Sequence, residues 1–280
     1  MKPLALAAVT ITATLLAMPA SYARISCTRA GLGRAVDLYL AAQTRGDISG
    51  LPLAKGLAYY ENGKRANIKT GLLATALKID HHMSLLDPVT CQTFTEVIVT
   101  NKAKPYVIGT RLRVNHDRIA EIGTVWETTG YWLFNADAYL KWATTESWGP
   151  IPASERESPA ALVSAANAYL DAFLEGKTNL VPWGYPCERT EGGAHTGNGS
   201  PKDTCAVGVP SGVNIVNRRF IVDPTIGAVV AFCNFGATGP RDTHLFRVQH
   251  GKLRYVHTIT HLLMTSFRGR LPRAAAHQPP

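Results

Sequence analysis

The chain is poor in the signatures that usually betray a nucleotide- or metal-dependent enzyme. Its 280 residues contain no G-x-G-x-x-G, no P-loop, no G-x-S-x-G, no H-E-x-x-H and no C-x-x-C. Each absence removes a reading: phosphate cradled on a helix N-terminus, an exposed serine nucleophile, a zinc-hydrolase helix, a redox dithiol. Charged residues are also scarce, at 18%, and no Lys/Arg run interleaved with aromatics is present to follow a nucleic-acid backbone. A membrane-spanning helix needs about 20 apolar residues, and no segment reaches that length. Acidic residues are outnumbered 20 to 29, for a net charge of +9. Three of the positive charges (Arg268, Arg270 and Arg273) fall in a Pro/Ala-rich tail that reads as disordered. The folded body is therefore mildly basic. It suits a small anionic molecule at least as well as a nucleic acid, and neither nucleic acid nor membrane is an expected partner.

At 46% hydrophobic, the composition is that of a globule with a real core. The N-terminal stretch pairs Lys2 with an apolar run from Leu4 to Leu16 and the small residues Ala20-Ser21-Tyr22-Ala23. That pattern predicts a secretory signal peptide over residues 1–23, and hence a secreted or secretory-lumen protein. Five cysteines in such a compartment imply disulfides and one thiol left over. Cys187 and Cys205 bracket a Gly/Ser/Thr/Asn-rich loop, and Cys27 with Cys91 would tie the start of the chain to a strand; the sequence leaves the connectivity open. Cys233, in the apolar run Val229–Cys233, is read as a buried free thiol. Asn198, in Asn198-Gly199-Ser200, is a glycosylation sequon in the same loop.

The most informative feature present is a long internal repeat. Leu38-Tyr39-Leu40-Ala41-Ala42, Gly46-Asp47 and Leu51-Pro52-Leu53 return as Ala168-Tyr169-Leu170-Asp171-Ala172, Gly176-Lys177 and Val181-Pro182-Trp183. Leu86-Asp87-Pro88 is matched by Val222-Asp223-Pro224, and Thr110–Val114 by His244–Val248. Each copy opens with a helix: Ala35, Leu38, Tyr39 and Ala42 recur at helical spacing before Gly46, and Val163, Ala166, Tyr169, Leu170 and Phe173 before Gly176. A Pro-containing turn and a polar segment with a Gly turn follow (Asn62-Gly63; Gly192-Gly193). Thr93–Val99 then alternates as a strand, and hairpins follow over 106–126 and 243–262, with turns at Asn115-His116-Asp117 and His250-Gly251. Residues 135–148 read as a helix between the copies. Helix first and antiparallel strands after give an α+β class with two tandem domains as a covalent pseudo-dimer. The predicted boundaries are 24–149 for the first domain, 150–160 for a linker, 161–265 for the second domain and 266–280 for the tail. As an assembly, the chain is a monomeric pseudo-dimer or a homodimer.

Helix, Gly-Asp, Leu-Pro and a long hairpin resemble the NTF2-like superfamily, which includes ketosteroid-isomerase-like and SnoaL-like folds. The string Lys78–Asp87, with Cys91 and Thr93-Phe94-Thr95-Glu96 behind it, resembles secreted fungal proteins with duplicated NTF2-like domains. Some of these are encoded beside biosynthetic genes, and they include enzymes credited with coupling maleic anhydride monomers into maleidrides. The resemblance implies cone-shaped domains, each a curved sheet wrapped on its helix. It fixes no reaction, because the superfamily hosts isomerases, dehydratases, cyclases and pure binders. The acidic pair of the isomerases finds no placement here, since Asp80 and Glu96 alternate with the apolar positions rather than joining them.

Alternation from Leu77 to Leu85 sets His81 on an apolar face with Ile79, Met83 and Leu85, and His82 opposite. A histidine there is either a general base near neutral pH or a hydrogen-bonded core residue. His257 shares a strand face with His261, but no matching carboxylate or cysteine set completes a metal site, so no metal is expected; His257 is instead a candidate to bind substrate. Arg113 and Arg247 hold equivalent hairpin positions, suited to a carboxylate or to a salt bridge across the pseudo-dimer. Tyr59 and Tyr60 can donate to a developing oxyanion, and Glu127, if buried, can move a proton. The leading reading is a cofactor-independent acid–base enzyme (isomerase, lyase or cyclase) acting on a small anionic organic substrate. His81 or His82 would be the base, Tyr60 and Arg113 would stabilise the anion, and Tyr59, Glu127, Arg247 and His257 would contact substrate. The rival reading is a secreted small-molecule binder without catalysis. An enzyme should converge several ionisable groups on one cavity, whereas a binder's cup can be almost wholly apolar.

Overall fold

A computed structural model of the chain describes residues 24–266. The signal-peptide expectation and the tail from residue 267 onward lie outside the described residues.

The two helices that open the repeats have matching caps. In α1 (Arg29–Arg45) the Thr28 hydroxyl accepts from the Gly31 N–H; in α3 (Pro159–Glu175) the Ser158 hydroxyl accepts from Ala161, with Pro159 in the first turn. Both stop at a left-handed glycine, Gly46 (φ 65°) and Gly176 (φ 68°), a conformation that a side chain would resist. Their apolar stripes bury Leu32, Ala35, Tyr39 and Ala42 in one case and Leu162, Ala166, Tyr169 and Phe173 in the other.

The first half supplies β1 (Leu53–Glu61), β2 (Lys64–Arg65), β3 (His81–Asp87), β4 (Gln92–Val99), β5 (Tyr106–Asn115) and β6 (Arg118–Glu127). The second supplies β7 (Trp183–Glu191), β8 (Ala194–His195), β9 (Ile215–Asp223), β10 (Ala228–Phe235), β11 (Arg241–Gln249) and β12 (Lys252–Thr260). They form two six-stranded sheets of identical topology, β2-β1-β6-β5-β4-β3 and β8-β7-β12-β11-β10-β9. Both are mixed: β1 runs parallel to β6 and β7 parallel to β12, and the remaining pairs are antiparallel. The repeat extends to its irregularities, with register shifts between Arg113 and Val114 and again between Arg247 and Val248. The hairpin loops also match: His116-Asp117 and His250-Gly251 all take positive φ, as a primed two-residue turn requires.

Two local expectations change. Residues 53–61 and 183–191 are strands, not polar turn segments; most of β1 is only half-buried, so its alternation is weak. The helix between the copies, α2, spans only Ala136–Ala143. Asn135 caps it, and the hydroxyls of Thr144 and Thr145 bond back to the carbonyls of Leu140 and Trp142, closing the last turn.

The inner strands of each sheet are buried on both faces. On one face the sheet packs its own helix, with Tyr39, Val97, Ile108, Leu112 and Ile122 in the first half and Tyr169, Val229, Phe246 and Val256 in the second. On the other face the two sheets meet, with Phe94, Ile98 and Val125 against Val230, Phe232, Leu245 and Ile259. The Asp-Pro signatures of the repeat meet at this junction. The Leu86 N–H donates to Asp223 at 3.0 Å and the Val222 N–H donates to Asp87 at 3.1 Å, so each half satisfies the other's buried aspartate. This is the two-fold contact expected of a covalent pseudo-dimer.

Disulfides join Cys27 to Cys91 and Cys187 to Cys205. By loop-closure entropy they contribute about 4 and about 3 kcal/mol respectively. Cys233 is free and buried. Disulfides fit an oxidising compartment, and no helix among the described residues is long and apolar enough to cross a membrane.

Candidate functional site

Polar chemistry concentrates where the sheets face each other. β4 carries Phe94, Glu96 and Ile98 on that face and β12 carries Tyr255, His257 and Ile259, so Glu96 and His257 are buried among apolar neighbours from both halves. His257 Nδ1 lies 2.9 Å from Glu96 and its Nε2 lies 2.7 Å from Glu146, each side chain at most 1% exposed. The Tyr139 hydroxyl on α2 donates to Glu96 (2.9 Å) and the Trp148 indole N–H donates to Glu146 (2.8 Å). Burial opposes a charge on His257, but the fields and hydrogen bonds of Glu146 and Glu96 outweigh it and hold the imidazole protonated well above its ordinary range. Glu127 lies in the same interior, where burial, then Glu191, Asp242 and Glu96, keep its carboxyl neutral far above the usual range. The cluster is closed on all sides; it ties the halves and α2 together.

The open site is a cleft of about 640 Å³ lined by both halves. One wall is Tyr60 of β1 and Gly63 of the β1–β2 turn with Glu121, Gly123 and Val125 of β6; the other is Arg218, Arg219, Phe232, Cys233, Arg241 and Asp242. Of these, Arg218 turns its guanidinium to Asp171 and Asn167 of α3, and Cys233 and Asp242 face the α3 side of their sheet. The Gly63 turn (φ 78°) packs so closely on Arg241 that an added Cβ would overlap its side chain. Glu121 is ringed by Arg111, with which it makes a very short contact, by Arg113 at 3.4 Å and by Arg219 at 3.6 Å. Burial, with Arg219 and Arg113 nearby, lowers the Arg111 guanidinium to about 10. Crowding of this kind marks an excess of positive charge that one carboxylate does not neutralise. Planar arginine forks around a half-open cleft are the arrangement that binds carboxylates.

Of the residues singled out in the sequence, Tyr60 lines this cleft. His81 and His82 do not. His81 shares the inter-sheet face with Met83 and Leu85, while Ile79 packs toward the helix side, so the four do not form one face within a cone. Burial lowers the His81 imidazole, with Glu96 opposing; His82 is exposed. Tyr59 is buried beside α1 and donates to Glu61. Arg113 is occupied with Glu121. Arg247 is buried and spends its guanidinium on the carbonyls of Ile226 and Gly149, anchoring the linker, so neither a substrate contact nor a salt bridge engages it. His257 is locked between two carboxylates, and His261 donates to the Trp126 carbonyl. Asn198 is exposed in the loop closed by Cys187 and Cys205.

The sequence reading set Glu96 aside and missed Glu146, Arg218, Arg219, Arg241, Asp242 and His244. The available signal was Asp242 and His244 two apart, on one face at the start of a predicted hairpin strand. Among the described residues Cys233, Asp242 and His244 form the one group spaced to hold a metal ion.

Fold and site together define an α+β protein of two tandem halves with an arginine-lined cleft between its sheets. Residues 155–260, which contain α3 and the whole second sheet, match the family described as "Domain of unknown function (DUF8021)". No curated protein matches the chain.

Proposed function

We propose that the chain is a tandem NTF2-like protein of the secretory pathway that acts as an acid–base enzyme on a small organic acid bound between its halves. The observation that carries this reading is the convergence of Tyr60, Glu121, Arg219 and Arg241 on one cleft. A non-catalytic cup has no need of so many ionisable groups. In this reading the arginines hold the carboxylates, the Tyr60 hydroxyl donates to the enolate oxygen, and Glu121 exchanges the proton on the adjacent carbon. These roles fall to groups of the cleft rather than to His81 or His82. One helix packed on a curved mixed sheet in each half supports the NTF2-like assignment. The dianions formed by opening maleic anhydrides belong to the substrate class, so maleidride coupling is the finer form of the proposal.

The test is α-hydrogen exchange followed by NMR in D₂O over a panel of small mono- and dicarboxylates, alongside calorimetric binding. Saturable binding with exchange is expected. Arg219→Gln with Arg241→Gln should abolish binding, and Tyr60→Phe should slow exchange by about 100-fold while binding persists. Binding without exchange would favour the non-catalytic binder, and no binding at all sinks both readings.

A further inference from the structure

Cys233 and Asp242 face each other across the β10–β11 ladder, and His244 follows two residues on, opposite Ala231, so three side chains project from one hydrogen-bonded patch. His244 Nδ1 lies 3.9 Å from the Cys233 sulfur and 3.4 Å from the Asp242 carboxylate. All three ligand atoms fall within 4.8 Å of one another. In a tetrahedral zinc site with bonds of about 2.0 Å to nitrogen and oxygen and about 2.3 Å to sulfur, the N···O edge is about 3.4 Å and the N···S edge about 3.6 Å. The two edges at His244 need an adjustment of only a few tenths of an ångström, and the third, from sulfur to carboxylate, lies within 4.8 Å.

The surroundings favour a cation in the same place. All three residues are at most 1% exposed. The His244 ring is packed by Tyr169, Phe173, Phe235 and Phe246, which fixes its direction. Neither carboxylate oxygen of Asp242 has a hydrogen-bond partner of standard geometry, although Thr260 and the Thr243 N–H lie near. A buried carboxylate in that state is costly unless a proton or a cation completes it. Burial drives the Cys233 thiol and the Asp242 carboxyl upward and the His244 imidazole down to about 3, so the metal-free group is uncharged and its histidine is already in the ligating form. Thiolate and carboxylate together would cancel a dication, leaving a neutral complex beside Arg218 and Arg241.

We infer that Cys233, Asp242 and His244 form a buried zinc site of three protein ligands on the α3-facing side of the second sheet. The mixed sulfur, nitrogen and oxygen set selects zinc over magnesium or calcium. This site stands on its own geometry and does not depend on what anion the cleft binds.

The experiment is zinc and cobalt titration of the whole mature protein with its disulfides intact. The other four cysteines are paired, so a thiolate-to-cobalt charge-transfer band reports Cys233 alone. Expected are one metal per chain by native mass spectrometry, a tetrahedral cobalt spectrum with that band, and affinity that rises with pH as protons leave the ligands. Cys233→Ser and His244→Gln should each weaken zinc binding by at least about 100-fold, whereas His82→Ala should not change it. Absence of the band from wild-type protein, or zinc binding that survives both ligand variants, overturns the site. Because the wild-type cobalt spectrum decides by itself, a variant that fails to fold does not rescue the inference.

Discussion

At the scale of single residues, the dominant feature is the buried charge held between the sheets. Removing one partner from such a group leaves the others uncompensated in a dry interior, which costs about 3–5 kcal/mol. His257→Leu, which leaves Glu96 and Glu146 facing each other, is expected to lose that much stability in urea unfolding; a loss under 1 kcal/mol would mean the group is not charged. The pH dependence has a definite sign. His257 is raised above its ordinary 6.5, so its contribution is complete below that value and is lost as pH rises through the folded pKa. Glu127 and Asp242, raised from 4.5 and 3.8, act in the same direction. His244 and His195, lowered to about 3 and about 4 chiefly by burial, act in the opposite one, with stability present above 6.5 and lost as pH falls through those values. Urea midpoints should therefore fall steadily above pH 6.5 and drop again below about pH 4. Little of this was legible in the sequence. Glu96 was set aside because it alternates with apolar residues, but β4 is buried on both faces, and alternation cannot rank two buried faces.

At the scale of elements, the helix stops and hairpin turns were readable because they depend on neighbours in the chain. Gly46 and Gly176 both need a left-handed conformation, but their surroundings differ. A Cβ on Gly176 would first meet the Ser211 side chain at 3.2 Å, whereas one on Gly46 would meet the Ala76 backbone nitrogen at 2.5 Å. Gly176→Ala should therefore cost about 1 kcal/mol and Gly46→Ala clearly more, as read from thermal midpoints; equal losses would contradict the close approach at Gly46. The parallel strands β1 and β7 were not readable. Each reaches its partner only after a long excursion of chain, and each is confirmed as a strand by that partner rather than by its own pattern.

At the scale of the whole molecule, the halves are not independent. The face that joins them contains Phe94, Ile98, Val230, Leu245 and Ile259, and His257 finds its carboxylates on the other half and on the segment between. Residues 150–266 produced alone would expose that face. They are expected to aggregate or bind a hydrophobic dye, while the full chain unfolds in one cooperative transition by calorimetry and by circular dichroism together. Two separated transitions, or a well-folded isolated half, would contradict this. The exchange between Asp87 and Asp223 supplies a second check. Asp87→Ala combined with Asp223→Ala should cost about 3–6 kcal/mol for two charge-assisted bonds and should lower the thermal midpoint of the single transition without splitting it.

By itself the sequence determined the α+β class, the duplication, the capped helices, the hairpins and the plausibility of both disulfides, because each of these follows from periodicity, turn chemistry or spacing within one copy. The repeat pointed to two matching units but not to the faces by which they meet. Only the tertiary structure decided that the sheets pack face to face, that His257 lies between Glu96 and Glu146, and that Tyr60 shares a cleft with Arg218, Arg219 and Arg241. The reason is physical: a strand buried on both sides carries no local mark of which side meets its helix and which the other sheet, and groups from opposite halves acquire their charge states only once that packing removes water from between them.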